Sequence, residues 1–281
     1  MRQIIISRPA APSLSLPGVA QFRVIGRKIL GGLTTGAAAL LLILALWSLA
    51  AWASGADLPG PAQTLATFWG LVSNPFYDKG PNDKGIGLQL MASLGRVGIG
   101  FGLASLVAIP LGIAMGITPG VHRIINPLVQ VLRPVSPLAW FPIGLATLHS
   151  AQPATIFVIF MTALWPTIIN TAFGVASIPN DHKNVARVFC FSRWKYIQKV
   201  VLPYSLPHML TGLRLSMGIA WMVIVAAEML AGGVGLGFFV WDSWNALKVD
   251  RIISAILIIG IVGLLLDRLF DLAAHKAAYE G

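Results

Sequence analysis

A long stretch of the chain, from Pro134 to Asn180, contains no Asp, Glu, Lys or Arg. An α-helix needs about 20 apolar residues to cross the hydrocarbon core of a bilayer, so this stretch is long enough to cross twice. Apolar runs of similar character precede and follow it. The sequence therefore predicts an all-α, polytopic membrane protein.

The composition supports this prediction and argues against two other classes of protein. Hydrophobic residues make up 56% of the 281 residues and charged residues only 11%, and the mean hydropathy is +0.78. Soluble domains carry about 25% charged residues, so a soluble enzyme is a poor interpretation. The net charge of +10 does not require a nucleic-acid partner, because membrane proteins concentrate Lys and Arg in cytoplasmic loops. The single cysteine, Cys190, excludes an internal disulfide and a thiolate metal cluster.

Six spans are predicted from the apolar runs. A polar and basic tail covers residues 1–28, a transmembrane domain residues 29–275, and a second tail residues 276–281. A polar connection from Asp57 to Gln89 contains turn-forming residues, and a hairpin is expected at His149 to Pro153. The six spans are expected at about residues 29–53, 94–116, 126–148, 154–178, 206–230 and 252–270.

The distribution of the basic residues predicts the orientation of the chain in a bacterial inner membrane. If the N-terminal tail is cytoplasmic, most loop cations fall on the cytoplasmic side, including those of the basic segment 180–203 between spans four and five. The opposite side then keeps only Lys79, Lys84, Lys248 and Arg251. Both termini are therefore expected in the cytoplasm.

The basic segment 180–203 is predicted to contain a short amphipathic helix. Asp181 can cap such a helix, and Val185, Val188, Phe189 and Trp194 recur at roughly helical spacing with cations between them. Two interpretations stay open at this point. The helix can lie on anionic lipid, or it can dock on a partner protein at the cytoplasmic face.

The same segment resembles the EAA loop of the permease subunits of type I ABC importers. That loop reads Glu-Ala-Ala, three residues, Gly, nine residues, Ile, one residue and Leu-Pro. The spacing matches throughout. Ala186, Leu202 and Pro203 keep the family's residue, whereas Asn184 and Cys190 stand where the family has Glu and Gly.

The resemblance extends over about residues 58–267, where the chain is similar to nitrate permeases of the cyanobacterial type. It includes Ser93 to Phe101, Leu138 to Pro142, Trp165 to Thr171 and, most closely, Ile224 to Asp242. Relatives in this branch carry nitrate, nitrite, bicarbonate, cyanate or alkanesulfonates such as taurine. The resemblance thus implies import of a small anion, with nitrate as the first expectation and bicarbonate as the next.

The resemblance also implies partners and a division of labour. It implies a second permease copy, with which this chain is expected to form a homodimer. It also implies two ABC ATPase subunits, which need not be identical, and a periplasmic or lipid-anchored substrate-binding protein. The chain has no Gly-x-x-x-x-Gly-Lys-Ser/Thr motif, so ATP and Mg²⁺ are expected in the ATPases, and no cofactor, metal or catalytic residue in this chain. The residues expected to couple the permease to the ATPase are Asp181, Asn184, Val185, Ala186, Arg187, Cys190, Ser192, Arg193, Leu202 and Pro203.

A second set of residues is a candidate for the translocation pathway or its gate. Glu228 is an acid inside a span, and it is expected either to fix the following Gly-rich turn or, less readily, to touch substrate. Three arginines are expected to attract an anion or to anchor span ends at the interface. The set comprises Arg96, Arg133, Trp140, Arg214, Trp221, Glu228, Gly233, Gly235 and Gly237.

Two other classes of membrane protein fit less well. An ion-coupled secondary carrier usually shows internal repeats and several intramembrane acids, whereas this chain offers one acid and no convincing repeat. A membrane-embedded enzyme would need a cluster such as paired Asp residues within the spans, and the predicted spans contain no such set.

Overall fold

The computed structural model describes residues 19–55, 57–80 and 83–279, and the side chains of residues 275–279 and of most residues before Gly36 are not described. The predicted tail residues 1–18, as well as residues 280 and 281, lie outside the described residues. The helices of the described part are α1 Val19–Ala53, α2 Pro61–Ser73, α3 Ile86–Ile117, α4 Pro119–Leu132, α5 Trp140–Leu148, α6 Ala151–Ala176, α7 Asn180–Val188, α8 Arg193–Tyr196, α9 Leu202–Ala231, α10 Leu236–Asn245 and α11 Val249–Tyr279.

The prediction of an all-α polytopic membrane protein is confirmed. Within the described residues, five helical stretches are long and apolar enough to cross a membrane, and a sixth span results if α4 and α5 are counted as one broken span. These two helices bend by 94° at their junction. Pro134 and Pro137 lie in this break, and a proline lacks the N–H that would continue the helix.

Two helices lie where the sequence predicted only connections. α2 lies inside the stretch from Asp57 to Gln89 that was predicted to be a polar connection, so that prediction was wrong for residues 61–73. α10 follows the Gly-rich turn and is ten residues long. Both are too short to span a bilayer, so a search for long apolar runs passes over them. The turn expected near His149 is present, because His149 has a left-handed backbone with φ 54° between α5 and α6.

The chain forms two compact units, residues 1–61 and 62–281. In the first, α1 presents exposed leucines along residues 40–49, as expected for a helix surrounded by lipid. The indole N–H of Trp47 donates a hydrogen bond of 3.1 Å to the carbonyl oxygen of Pro59, which ties the connection after α1 back onto this helix.

The core of the second unit is built by α3, α6 and α9. Small residues on α3 recur every four positions and let the backbone of α6 come close. At Gly112, for example, a Cβ atom would lie only 2.6 Å from the Cβ of Thr171 on α6. Between α6 and α9, the hydroxyl oxygens of Thr167 and Ser216 are 2.7 Å apart, and Ser216 donates to the carbonyl oxygen of Ala163. These contacts hold the three helices as one frame.

Candidate functional site

The first polar feature in this frame is a group that we call the Glu228 cluster, formed by Gln89, Ser93 and Arg96 on α3, Glu228 on α9 and the backbone of Gly235–Gly237. Arg96 Nη1 lies 2.5 Å from Glu228 Oε1, and Ser93 Oγ lies 2.8 and 2.9 Å from the two carboxylate oxygens. Glu228 is 1% exposed and Arg96 is 9% exposed.

The Glu228 cluster fastens the Gly-rich turn and the start of α10 to α3. The backbone N–H of Gly237 donates to Glu228 Oε2 over 3.0 Å. The N–H of Gly235 donates to the side-chain oxygen of Gln89, and that of Leu236 donates to Ser93 Oγ. A carboxylate at the first N–H groups of a helix is favourable, because these groups have no intrahelical partner and carry partial positive charge.

The cluster joins two residues that the sequence had singled out for different reasons. Glu228 was expected to fix the turn or to touch substrate, and Arg96 was expected to attract an anion or to anchor a span. The structure pairs the two charges with each other. Gln89 and Ser93 were not among the predicted site residues, although the spacing of residues 89, 93 and 96 puts three polar residues on one face of an otherwise apolar helix.

The glycines of the turn have different roles in this arrangement. Gly233 has a positive φ of 88° with open space around it, so the backbone conformation is what favours glycine there. Gly235 and Gly237 pack against the Glu228 side chain, where a Cβ atom would collide.

Arg214 on α9 lies in a second ionic group. Its guanidinium is 2.7 Å from both carboxylate oxygens of Asp267 and 2.7 Å from a carboxylate oxygen of Asp271. The two acids are one helical turn apart on α11, so a single forked side chain can reach both. This group is more than a third exposed at Arg214, unlike the Glu228 cluster.

Arg133 is the third predicted arginine, and it lies at the break between α4 and α5. It lines two cavities of about 360 and 580 Å³ that also share Ile169. No carboxylate lies within 4 Å of its guanidinium in the described part of the chain. The polar residues that line these cavities with it are Asn126, Gln130, Thr162 and Asn170, and no lining residue is acidic.

The two predicted tryptophans lie in different surroundings. Trp140 lines the smaller of the Arg133 cavities and packs edge-on against Phe157, with ring centroids 6.4 Å apart. Trp221 is buried in the core, and its indole N–H donates a hydrogen bond of 3.0 Å to the carbonyl oxygen of Ile259 on α11. The structure does not bring Trp221 to the cavities.

The predicted amphipathic helix is α7, followed by the short α8 and a π-helical turn at Ile197–Val201 that leads into α9 with Leu202 and Pro203. The expectation that Asp181 caps the helix was wrong. The residue before α7 is Pro179, which offers no side-chain cap, and Asp181 lies in the first turn. An acid in that turn still interacts favourably with the helix dipole. Ser192 caps α8, because its Oγ accepts a hydrogen bond from the N–H of Lys195.

The chain turns sharply at the end of α7. The N–H of Phe189 donates to Val185 O, and that of Phe191 donates to Ala186 O over 2.9 Å. Between them, Cys190 adopts a left-handed backbone with φ 49°. This is the conformation that favours glycine at the end of a helix. The geometry therefore explains why the EAA pattern has Gly at the position that Cys190 occupies.

The two faces of α7 differ in character. Ala186 is buried, whereas Val185, Val188 and Phe189 are exposed, with Val188 79% exposed. Trp194 on α8 is also exposed. Lys183 and Arg187 lie on the other face of α7. Together with Arg193 of α8 they line an open cavity of about 490 Å³ against the ends of α3 and α6. Asn184 is exposed and has a neutral amide where the family has an acid.

A small hairpin connects α2 and α3. Asp78 pairs with Lys84, and their backbones form an isolated antiparallel bridge. The hydrogen bond from Lys84 and a second one from the N–H of Gly80 lower the pKa of Asp78. Partial burial raises the pKa of Tyr77, and its hydrogen bond to Asp83 adds to this effect.

Metal-binding side chains do not gather in the described ranges. No group of three or more His, Cys, Asp or Glu residues comes together there in a way that could hold a metal ion. The chemistry that the arrangement offers is that of charge. A buried pair ties helices together, and three cavities are lined by cations that have no carboxylate partner among the described residues.

Comparisons with known proteins agree with this architecture. In solved structures, the fold is similar to that of a chain of the MetNI methionine ABC transporter in an inward-facing conformation. The TM-score is 0.60 at 15% identity, and the match covers 67% of this chain and 94% of that one. This likeness concerns the fold.

Sequence relatives are much closer. The chain is 47% identical to the nitrate import permease protein NrtB of Synechocystis, over 83% of this chain and 84% of the relative. It is 46% identical to the bicarbonate transport system permease protein CmpB of Synechococcus elongatus, over 86% of this chain and 88% of the relative. The family model of the inner membrane component of binding-protein-dependent transport systems matches residues 108–278.

Together, the fold, the relatives and the family match identify a multi-pass inner membrane protein and a non-catalytic subunit, which functions with an ATPase and a binding protein. The chain belongs to the family of binding-protein-dependent transport system inner membrane components, the permease subunits of ABC importers.

Proposed function

We propose that this chain forms the membrane pathway of an importer for a small inorganic anion, with nitrate as the first candidate and bicarbonate as the second. The relatives named for nitrate and for bicarbonate are almost equally similar to the chain, which supports both candidates. Cyanate and taurine are lesser candidates.

The observation that carries this proposal is the environment of Arg133. Its guanidinium offers forked N–H donors that suit a planar oxyanion. The two cavities that it lines contain amide and hydroxyl groups but no carboxylate, so an anion meets no like charge there. Arg96 and Arg214, in contrast, already pair with acids of the chain.

The break between α4 and α5 suits a pathway that opens and closes. Trp140 and the prolines lie where the backbone changes direction, so small rotations of α5 would change the width of the smaller cavity. The proposed gate element is the Gly-rich turn from Gly233 to Gly237. Because Glu228 holds this turn, it would move together with α9 and α3 as one body.

We further propose that residues 180–203 transmit ATP binding to the pathway. The exposed apolar side chains of Val185, Val188 and Phe189 would enter a groove on an ATPase subunit, which binds ATP and Mg²⁺. Closure of two ATPases would then rock the permease from an inward-facing to an outward-facing state. Two copies of this chain, expected to be identical, would form the pathway, and a periplasmic or lipid-anchored binding protein would deliver the anion. Both termini would lie in the cytoplasm.

Uptake by the reconstituted transporter tests the role of Arg133. In proteoliposomes that contain the permease, its ATPases and its binding protein, ¹⁵N-nitrate and ¹³C-bicarbonate uptake are measured separately. We expect Arg133→Gln to reduce uptake of the transported anion by about tenfold or more, because one charge-assisted hydrogen bond is worth about 1.5–3 kcal/mol. Arg133→Lys should retain part of the activity, because it keeps the charge and loses the fork.

Arg123→Gln is the matched control, because Arg123 is an exposed cation on α4 that lines neither cavity. Nitrate uptake without bicarbonate uptake would identify nitrate as the substrate, and the reverse would identify bicarbonate. Unchanged uptake of both anions by the Arg133→Gln transporter would refute the proposed role of Arg133.

A further inference from the structure

The open cavity beneath α7 has a charge that transport of the anion does not explain. It has a volume of about 490 Å³ and lies between α7, α8 and the ends of α3 and α6. Lys183 and Arg187 are one helical turn apart on α7, and Arg193 begins α8. Three cations from two helices thus line a single cavity, which we call the cationic cavity.

Nothing in the described residues compensates these charges. No acidic residue lines the cationic cavity, and none of its three cations pairs with a carboxylate within 4 Å in the part of the chain that the structure describes. Like charges that line one cavity repel one another, and an anion bound between them would relieve that repulsion. Two guanidinium groups and one ammonium group are the donors that phosphate oxygens prefer.

The other wall of the cationic cavity is apolar. Gly116 and Ile117 at the end of α3 and Val175 near the end of α6 form it. Both of these helices are candidate membrane spans, so the cavity lies at the level where a spanning segment leaves the bilayer. Basic pockets at this level of a membrane protein bind phosphate-bearing headgroups.

We propose that the cationic cavity binds a phosphate group, carried either by an anionic phospholipid or by a soluble phosphate. The ligand would bridge Lys183 on α7 to Arg193 on α8 and press both helices against the ends of α3 and α6. Since α7 and α8 belong to the segment proposed to contact the ATPase, an occupied cavity would hold that segment in one position. The inference concerns a second anion site, separate from the Arg133 cavities.

A cysteine of the chain can report whether the cationic cavity is occupied. Cys190 is the single cysteine of the sequence, it is exposed, and it lines this cavity. A phosphate group bound to Lys183 and Arg193 would cover the thiol. The rate at which uncharged N-ethylmaleimide alkylates Cys190 therefore measures occupancy, and mass spectrometry of the peptide that contains Cys190 gives that rate.

The experiment uses the full-length chain in nanodiscs and has two arms. In the first arm, inorganic phosphate is titrated against phosphatidylcholine nanodiscs at constant ionic strength. In the second arm, phosphatidylglycerol replaces part of the phosphatidylcholine and no phosphate is added. Occupied sites exclude the reagent, so phosphate at ten times its Kd should slow alkylation by about tenfold.

Slower alkylation in the first arm identifies soluble phosphate as a ligand, and slower alkylation in the second arm alone identifies the lipid headgroup. Lys183→Gln should abolish the protection and Lys183→Arg should keep it, whereas Arg123→Gln should leave it unchanged. Arg193→Gln is the second variant, used where Lys183→Gln alters the alkylation rate even without ligand. Equal rates in all conditions, or protection that persists in both glutamine variants as a general effect of bilayer charge, would overturn the proposal.

Discussion

The Glu228 cluster and the cationic cavity differ in whether their charged side chains are paired. In the cluster, one acid and one arginine are almost fully buried, and each carboxylate oxygen also has a neutral donor. In the cavity, Lys183, Arg187 and Arg193 have no carboxylate partner in the described residues. Both regions connect helices of the same unit. Of the two regions, however, only the Glu228 cluster pairs its cation with an acid among the described residues.

This difference separates charges that hold the fold from charges available to a ligand. A buried, hydrogen-bonded pair ties α3, α9 and the start of α10 together, and the carboxylate of Glu228 already neutralises the charge of Arg96. An uncompensated group of cations at the end of the spans contributes nothing to cohesion until an anion arrives. Arg133 belongs to the second kind, which is why it carries the proposed function.

The largest expected effect comes from breaking the buried pair. Glu228→Gln keeps the shape of the side chain but leaves the Arg96 charge buried without a counter-charge, which typically costs about 3–5 kcal/mol. The thermal unfolding midpoint of the purified chain in nanodiscs, followed by tryptophan fluorescence, should therefore fall strongly. Arg214→Gln breaks an ion pair that is exposed, so its midpoint should fall far less.

The double variant Arg96→Met with Glu228→Gln sharpens this test. Removing both charges leaves no uncompensated ion in the core, so part of the lost stability should return. If the midpoints of Glu228→Gln and Arg214→Gln are equal, the distinction between a cohesive buried pair and an exposed pair does not hold for this chain.

The sequence predicted the class of fold because apolar length is a direct physical requirement of the bilayer. It also indicated Glu228, since an acid inside a span is costly without a partner. It did not identify that partner. The pairing with Arg96 depends on how α3 and α9 pack. Close helix packing in lipid is decided by small residues, as Gly112 shows between α3 and α6, rather than by a hydrophobic pattern.

The break between α4 and α5 shows a second limit of sequence analysis. Residues 126–148 read as one continuous apolar span, although they contain Pro134 and Pro137. A proline in a membrane helix can be tolerated or can end the helix, and neighbouring residues decide which occurs. Here the chain bends by 94°, and this bend is what brings Arg133 to the cavities.

A smaller effect on stability is expected at the turn after α7, within the segment 180–203. The Gly-rich turn of the Glu228 cluster uses glycine at its positive φ angles, whereas α7 ends on Cys190 at φ 49°. A side chain in the left-handed region costs about 1–2 kcal/mol, so Cys190→Gly should relieve the turn by about 1 kcal/mol. Amide hydrogen exchange at Phe189 and Phe191, whose N–H groups close the turn, should slow by about fivefold.

Cys190→Ala is the matched control for this effect. It removes the thiol but keeps the Cβ atom that causes the strain, so exchange at the two amides should stay as in the unchanged chain. Equal slowing in both variants would trace the effect to the thiol, and the backbone explanation would fail.

The smallest effect concerns the Asp78–Lys84 pair, which is matched in charge like the Glu228 pair but lies in an exposed hairpin. The hydrogen bond from Lys84 lowers the pKa of Asp78 in the folded hairpin, so folding favours the ionised carboxylate. The resulting stabilisation is present above the pKa of an unfolded aspartate and is lost as the pH falls through the lowered pKa of the folded state.

Hydrogen exchange of the Lys79 and Gly85 amides, corrected for the intrinsic pH dependence, should show a modest loss of protection over that range. Lys84→Gln should flatten this dependence, and the midpoint of unfolding of the whole chain should hardly move, because solvent screens an exposed pair. A loss of protection in acid that persists in Lys84→Gln would contradict the assignment of this pH dependence to the Asp78–Lys84 pair.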